Sequence, residues 1–244
     1  MKSVVRRLLS TLGYDLHRLA VSSVSQSRAS EAEQLLREIP TVPLFDLLGG
    51  QKVEIRLMIQ AYEDGILPMQ DAIALLSIMA KERPALVLEI GTFMGHTTKA
   101  MAENMPTATI HTVDLPTDFS AEKDVQQNLP KDDFHLIKRR IVGREFKDTP
   151  VGQRIVQHFG DTAEFDFRTV GRPSFFFIDG SHTYEYCKND SERCLAIAPK
   201  RSTFLWHDCD VDHPGVGRLV SEWRRAGRNV VRIDCTALAY WRNV

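Results

Sequence analysis

The sequence predicts an open, doubly wound α/β sheet of about seven strands. Short apolar segments alternate with segments of helical periodicity along most of the chain, and an acidic residue stands at or beside the end of nearly every apolar segment. This alternation favours a mostly parallel sheet with helices on both faces. Ligands of such sheets bind at the carboxyl ends of the strands, so a functional site is expected there.

Composition limits the class of protein. The chain has 244 residues, 43% of them hydrophobic, and a formal net charge of −1. This length suits one α/β domain with additions. The near-neutral charge provides no broad electrostatic footprint for nucleic acid, so no nucleic-acid partner is expected. The four cysteines form no C-x-x-C pair, which indicates reduced, packed thiols in a cytoplasmic protein.

Residues 1–50 are expected to form an N-terminal helical segment and a polar linker. The stretch 1–20 is basic and mildly amphipathic, without the long apolar region or cleavage site of a signal peptide. We interpret it as a short surface helix; the alternative is peripheral contact with a membrane or a partner. The serine-rich residues 21–34 are typical of a linker. No apolar run is long enough to span a membrane.

Residues 51–244 form the predicted main domain. Helical periodicity covers 51–82 and stops before Pro84. The long polar stretch 116–152 is typical of a lid or a substrate-side insertion. The terminal strand or the helices at 51–82 could support a homodimer. The predicted strands are 85–90, 109–115, 154–161, 174–179, 202–208, 229–233 and 237–242, and the helices that alternate with them include 97–104, 183–198 and 215–227.

The first strand leads into the segment "LEIGTFMGHTT", residues 88–98. Gly91 and Gly95 allow the backbone to approach a ligand closely. Phe93 stands where a dinucleotide-binding G-x-G-x-x-G motif has its second glycine, and its ring would crowd a pyrophosphate. Glu89 suits a cationic amino group better than a phosphate, and Asp114 ends the next strand, where it could accept hydrogen bonds from ribose hydroxyls. These residues favour S-adenosylmethionine over a nicotinamide cofactor.

The same segment resembles the first motif of class I S-adenosylmethionine-dependent methyltransferases, especially the catechol and caffeoyl-CoA O-methyltransferase type. With "FGDTAEFDF", "FFFIDGSHTYEYCKNDSERCL", "FLWHD" and "TALAYWR", it resembles bacterial O-methyltransferases related to the macrocin and mycinamicin sugar enzymes. The resemblance implies a Rossmann-like sheet, mostly parallel with an antiparallel C-terminal strand, plus N-terminal helices. The cofactor-binding residues that it implies are Glu89, Gly91, Thr92, Gly95, Thr97, Asp114, Asp161 and Thr162.

The resemblance also implies a metal ion and a catalytic base. Asp179, at the end of the fourth strand, would bind a divalent ion, and His182 would remove the proton of the acceptor hydroxyl. The remaining metal ligands would come from an acidic pair at the end of the fifth strand, which here is His207-Asp208. The chemistry is reasonable because a divalent cation lowers the pKa of a bound hydroxyl and a histidine takes up protons near neutral pH.

Two questions stay open at the level of sequence. His207 either ligates the metal or only forms a hydrogen bond, and both His207 and Asp208 can ligate only if the strand has already ended and turned. Two carboxylates with waters suit Mg²⁺, whereas a set that includes His207 moves the preference toward Mn²⁺, Fe²⁺ or Zn²⁺. The acceptor is expected to be a hydroxyl of a small molecule or a glycan. The alternatives are a hydroxylase-like enzyme and a non-catalytic protein on the same cofactor-binding fold.

Overall fold

The computed structural model describes residues 32–58, 65–118 and 140–244. Its strands are β1 (Thr41–Val42), β2 (Leu86–Ile90), β3 (Thr109–Asp114), β4 (Ile155–Phe159), β5 (Phe175–Ile178), β6 (Thr203–Trp206), β7 (Val231–Ile233) and β8 (Ala239–Arg242). Its α-helices after β1 are α1 (Leu44–Leu48), α2 (Met69–Glu82), α3 (His96–Asn104), α4 (Arg144–Lys147), α5 (Tyr184–Ile197) and α6 (Pro214–Arg225). Each strand predicted from the sequence is present in the structure.

These strands form one sheet in the order β1-β7-β8-β6-β5-β2-β3-β4. β8 runs antiparallel to both of its neighbours, β6 and β7. The other pairings are parallel. The sheet is therefore the Rossmann-like, mostly parallel sheet with an antiparallel C-terminal strand that we expected. The additional strand is β1, which is too short to give a pattern in the sequence.

The central strands are buried on both faces. All four residues of β5 are buried, and successive side chains enter two different hydrophobic clusters. Phe176 and Ile178 pack in the cluster that contains Trp223 of α6, whereas Phe175 and Phe177 pack in the cluster that contains Leu75 of α2. Because alternate side chains of a strand point to opposite faces, a continuous apolar run here indicates helices on both sides of the sheet.

Helix α2 begins later than the periodicity of 51–82 suggests. Pro68 occupies its N-cap position, and the helix ends at Glu82, where Arg83 adopts a left-handed conformation before Pro84. Residues 51–58 are not helical, and 59–64 lie outside the described residues. The helical prediction for 51–58 is therefore wrong. Pro68 disfavours helical geometry at the residue before it, so apolar spacing upstream could not continue into α2.

The described part of the N-terminal segment packs on the sheet. Residues 32–37 are helical, and Leu36 and Ile39 belong to the same hydrophobic cluster as Trp223. β1 pairs with β7. The predicted surface helix at 1–20 and most of the predicted linker lie outside the described residues, as does 119–139 of the predicted insertion.

The structure also bears on the expected absence of a membrane span and on the state of the cysteines. No helix in the described ranges combines the length and the apolar character needed to cross a membrane. The cysteines are all free; Cys187, Cys194 and Cys209 are buried, and Cys235 is exposed.

Candidate functional site

A cavity of about 430 Å³ opens at the carboxyl ends of the parallel strands. It lies where the strand order reverses, because β2 has β3 on one side and β5 on the other. This is the position at which ligands bind in doubly wound sheets. The expected cofactor residues that line the cavity are Gly91, Thr92, Gly95, Thr97, Asp114, Asp161 and Thr162, and the expected metal and catalytic residues that line it are Asp179, His182, His207 and Asp208.

The turn after β2 requires glycine. Gly91 has a φ of 93°, and a Cβ at this position would overlap the backbone carbonyl oxygen of Asp179. Two hydrogen bonds hold this packing: Gly91 N–H donates to Val113 O at 2.9 Å, and Asp179 N–H donates to Ile90 O at 2.8 Å. The glycine turn therefore sets the distance between the end of β2 and the aspartate that follows β5.

Glu89 lies beneath this turn and does not line the cavity. Its side chain is fully buried, and its Oε2 accepts hydrogen bonds from Thr98 Oγ1 at 2.5 Å and Thr112 Oγ1 at 2.6 Å. Burial raises the pKa of Glu89 to about 8, against the opposing effect of these two hydroxyl donors. Its other oxygen, Oε1, is buried without a hydrogen-bond partner in the described part of the chain.

Asp114 is held by four donors at the end of β3. The backbone N–H groups of Thr92 and Phe93 donate to its Oδ2, at 3.1 and 2.7 Å. Leu115 N–H and the Arg140 guanidinium donate to Oδ1, at 2.7 and 2.5 Å. Burial raises the pKa of Asp114, and the charge of Arg140 opposes this effect. A ribose bound here would therefore share oxygens that already accept hydrogen bonds.

Arg140 lies in 116–152, the predicted lid or substrate-side insertion, and was not among the site residues expected from the sequence. It is 3% exposed, and its Nε and Nη1 have no hydrogen-bond partner among the described residues. It also lines the cavity, so a bound ligand could accept hydrogen bonds from it.

Tyr186 and Asp190 add to the other end of the cavity, beside Asp161 and Thr162. Tyr186 OH donates to Asp161 Oδ2 at 2.9 Å, and Ala163 N–H donates to Asp161 Oδ1 at 2.9 Å. Burial raises the pKa of Asp190 to about 7. Tyr186 and Asp190 belong to α5, so only the packing of that helix brings them to the ends of β4 and β5.

Asp179, His207 and Asp208 converge on one point. His207 Nδ1 is 2.9 Å from Asp179 Oδ1 and 3.1 Å from Asp208 Oδ1. β6 ends at Trp206, and Asp208 has a φ of 57°, in the left-handed region, so the chain has turned before this residue. This is the turn that both side chains need in order to face the same ligand.

The three donor atoms fit a divalent cation. Ligand atoms about 2.1 Å from an octahedral ion lie about 3 Å apart when they are neighbours, which is close to the two measured separations. Burial raises the pKa of Asp179, whereas burial of Asp208 is outweighed by hydrogen bonds from His182 and His207, which hold its pKa well below its usual range. Against the opposing effect of burial, Asp179, Asp208 and Asp71 raise the pKa of His207 well above its usual range. A cation between the donors would take the place of the proton on Nδ1.

Asp71, on α2, is a further carboxylate at this cluster, and we did not single it out from the sequence. Its Oδ2 is 3.0 Å from His207 Nε2, on the side of the ring opposite Asp179. Asp71 is 1% exposed. Asp71 is the third residue of an amphipathic helix. Nothing in the sequence indicates that it contacts His207, which follows a strand 136 residues later.

His182 lies against Asp208 and His213. Its Nε2 is 2.8 Å from Asp208 Oδ2, and its ring meets that of His213 edge-on at 4.3 Å. Asp210 Oδ1 accepts hydrogen bonds from the backbone N–H groups of Asp212 and His213, so it shapes the loop that presents His213. Asp208 therefore contacts both histidines, with Oδ1 near His207 and Oδ2 near His182.

Comparison with known proteins identifies the family and the fold. Residues 88–209, half of the chain, match the model of a family described as a methyltransferase domain. None of the curated proteins matches the chain in sequence.

Solved structures share the fold. The chain is similar to cofactor-bound Rv0187 from MTB, with a TM-score of 0.54 and 17% identity over 98% of this chain and 95% of that one. It is similar to the O-methyltransferase TomG from Streptomyces achromogenes, which was solved in complex with SAM, with a TM-score of 0.51 and 14% identity over 89% and 90%. It is also similar to the calicheamicin methyltransferase CalS11, with a TM-score of 0.50 and 18% identity over 71% and 79%.

Proposed function

The chain belongs to this methyltransferase-domain family, and on that premise we propose that it transfers the methyl group of S-adenosylmethionine to a hydroxyl oxygen of a small molecule or glycan. One observation carries the proposal: the glycine turn after β2 and the cluster of Asp179, His182, His207 and Asp208 line the same cavity. A cofactor bound at the glycine turn would therefore lie beside the cluster of histidines and aspartates.

The cofactor would lie across the ends of β2, β3 and β4. The backbone of Gly91, Thr92 and Gly95, with the Thr97 side chain, would contact the methionine part, and the buried Glu89 would lie beneath the ammonium group. Asp114 would bind the ribose hydroxyls. Asp161 and Thr162 would lie beside the adenine. The support for this orientation is that seven of these eight residues line one continuous cavity, with only Glu89 beneath its floor.

A divalent cation, Mg²⁺ or Mn²⁺, would be held by Asp179, His207 and Asp208. When bound, it supplies a positive charge that lowers the pKa of a neighbouring hydroxyl and positions that group. The imidazole ligand favours Mn²⁺ over Mg²⁺ because Mg²⁺ prefers oxygen ligands.

His182 is the proposed base. With Asp208 Oδ2 accepting a hydrogen bond from the Nε2–H group, the lone pair of the neutral ring is on Nδ1. That nitrogen would take the proton of the acceptor hydroxyl while the oxygen attacks the methyl carbon. The new O–C bond forms as the C–S bond breaks, and S-adenosylhomocysteine leaves with the electron pair. Asp208 would stabilise the imidazolium that results, and the aligned reactants gain from proximity.

A non-catalytic protein on the same fold is a weaker interpretation. Simple cofactor binding gives no reason for two histidines and two carboxylates beside the cofactor site. A hydroxylase-like reaction has no observation here that favours it over methyl transfer.

Methyl transfer can be tested with labelled S-adenosylmethionine and a panel of hydroxyl acceptors. We expect label on an acceptor oxygen, loss of transfer on chelation, and recovery with Mn²⁺ or Mg²⁺. His182→Ala should lower turnover about 10²- to 10⁴-fold and leave the affinity for S-adenosylhomocysteine unchanged. Normal turnover in His182→Ala would remove the base assignment. Transfer that neither chelation nor Asp179→Asn reduces would remove the metal.

A further inference from the structure

Asp71 is a buried carboxylate whose only described ionic partner is His207. Its Oδ2 lies 3.0 Å from His207 Nε2, and its Oδ1 accepts a hydrogen bond from Ala237 N–H at 3.3 Å. The side chain is 1% exposed, so water cannot replace these partners at little cost. The carboxylate is thus tied at one oxygen to the backbone before β8 and directed at one imidazole nitrogen by the other.

We propose that Asp71 is a positioning residue that makes His207 a metal ligand. The inference rests on the proposed metal site and adds to it a residue outside the segment 88–209 that matches the family. A neutral imidazole carries its proton on one nitrogen and its lone pair on the other. With a cation bound, Asp71 would accept the Nε2–H bond, and the Nδ1 lone pair would face the ion between Asp179 and Asp208.

The groups around His207 indicate which nitrogen a cation would use. On the Nδ1 side, Asp179 Oδ1 and Asp208 Oδ1 lie at 2.9 and 3.1 Å. Those two oxygens are the ones that a cation would share with Nδ1. On the Nε2 side, Asp71 is the carboxylate in contact. A carboxylate that accepts the distal N–H bond of a metal-bound histidine orients the ring and increases its basicity.

Charge supports the same conclusion. Neutral His207 brings no charge to the cation, whereas Asp71 and His207 together bring one negative charge through the ring. The pair therefore acts like a single carboxylate whose ligand atom is a nitrogen. Since the His207 ring, Asp71 and Asp179 are largely buried, the interaction is weakly screened.

The position of Asp71 also connects α2 to the site. Pro68 starts the helix, and Asp71 follows in its first turn. Ala74, Leu75 and Leu76, one turn further along α2, are 0–1% exposed in the hydrophobic cluster on this face of the sheet. The core packing of α2 thus fixes the carboxylate that orients His207.

The test is calorimetric titration of the chelated full-length protein with Mn²⁺. We expect Asp71→Asn, which keeps the size of the side chain but gives up its charge, to weaken Mn²⁺ binding about 10- to 100-fold. The affinity for S-adenosylhomocysteine should stay within about twofold of wild type, and the melting temperature reports whether the fold is kept. Asp46→Asn is the matched control, because Asp46 is in the first turn of α1 but is exposed.

A second substitution separates positioning from simple structural damage. In His207→Glu the ligand carries its own charge, and Asp71 would repel it. Asp71→Asn should then leave Mn²⁺ affinity unchanged or increase it in the His207→Glu background. The inference is overturned if Asp71→Asn binds Mn²⁺ like wild type, or if it weakens binding equally in both backgrounds. Failure of the wild type itself to bind Mn²⁺ would instead contradict the proposed metal site and, with it, the role of Asp71.

Discussion

Glu89 is a buried acid whose protonation should couple stability to pH. Its pKa in the folded protein is about 8, whereas an unfolded chain would have the ordinary value near 4.5. Between these values the unfolded state loses the proton and the folded state keeps it. The free energy of unfolding should therefore fall as pH rises from about 4.5 to 8, by up to about 1.4 kcal/mol per pH unit.

Glu89→Gln provides the comparison because its side chain cannot ionise. Urea unfolding at pH 5, 6.5 and 8 should show the wild type losing stability relative to this variant as pH rises. A difference between the two proteins that stays constant over this range would mean that Glu89 ionises normally in the folded state.

The residues at the strand ends could be predicted because parallel strands bring their carboxyl ends to one edge of the sheet. Asp114, Asp179, His182 and Asp208 were identified in this way or by resemblance, and each lines the cavity. Asp71 could not be identified, since a single acid in a helix is ordinarily solvated. The contact between Asp114 and Arg140 was also unpredictable, because Arg140 lies within a long polar stretch that has no strong sequence period.

Among the elements, the turn after β2 is the one whose geometry the site depends on most. Gly91→Ala should destabilise the protein by several kcal/mol, because the added Cβ would overlap the Asp179 carbonyl as well as occupy a left-handed conformation. Gly227→Ala is the control: its φ is 88°, close to the 93° of Gly91, and nothing lies within 4 Å of the added atom.

Chemical denaturation of the two variants separates the cost of the left-handed backbone from the cost of the overlap with Asp179. Both substitutions carry the cost of the left-handed backbone, roughly 1–2 kcal/mol. The excess in Gly91→Ala measures the close packing of β2 on β5. Equal destabilisation of both variants would show that the end of β2 can move away from Asp179 freely.

The elements that were predicted well are those with strong local signals. β2, β5 and β6 are short apolar runs followed by glycine or acidic residues, and all three are buried in the structure as expected. β1 has two residues and forms only because β7 offers it an edge. The apolar spacing at 51–58 predicted a helix, but these residues are not helical in the structure.

At the scale of the whole molecule, the segment before α1 is part of the packed domain. Ile39 is 2% exposed, in the cluster that contains Trp223 and Trp241. Ile39→Ala should therefore lower the free energy of unfolding by about 2–5 kcal/mol. Ile141→Ala, at a position that is 53% exposed, should change it by less than about 0.5 kcal/mol. Similar small effects at both positions, measured by urea unfolding, would show that this segment contributes little to the fold.

The cytoplasmic location and the homodimer expected from the sequence stay predictions. The proposed activity needs neither, because the cofactor cavity and the cluster beside it are formed within one chain.

Calorimetric titration of the protein with S-adenosylhomocysteine tests the proposed cofactor site most directly. We predict saturable binding at one site, weakened at least about tenfold by Asp114→Asn, because the ribose hydroxyls lose a charged acceptor. Asp166→Asn, which changes a largely exposed carboxylate paired with Arg168, should bind like wild type. The absence of binding by the wild type, for both S-adenosylhomocysteine and S-adenosylmethionine, would contradict the proposed methyl transfer.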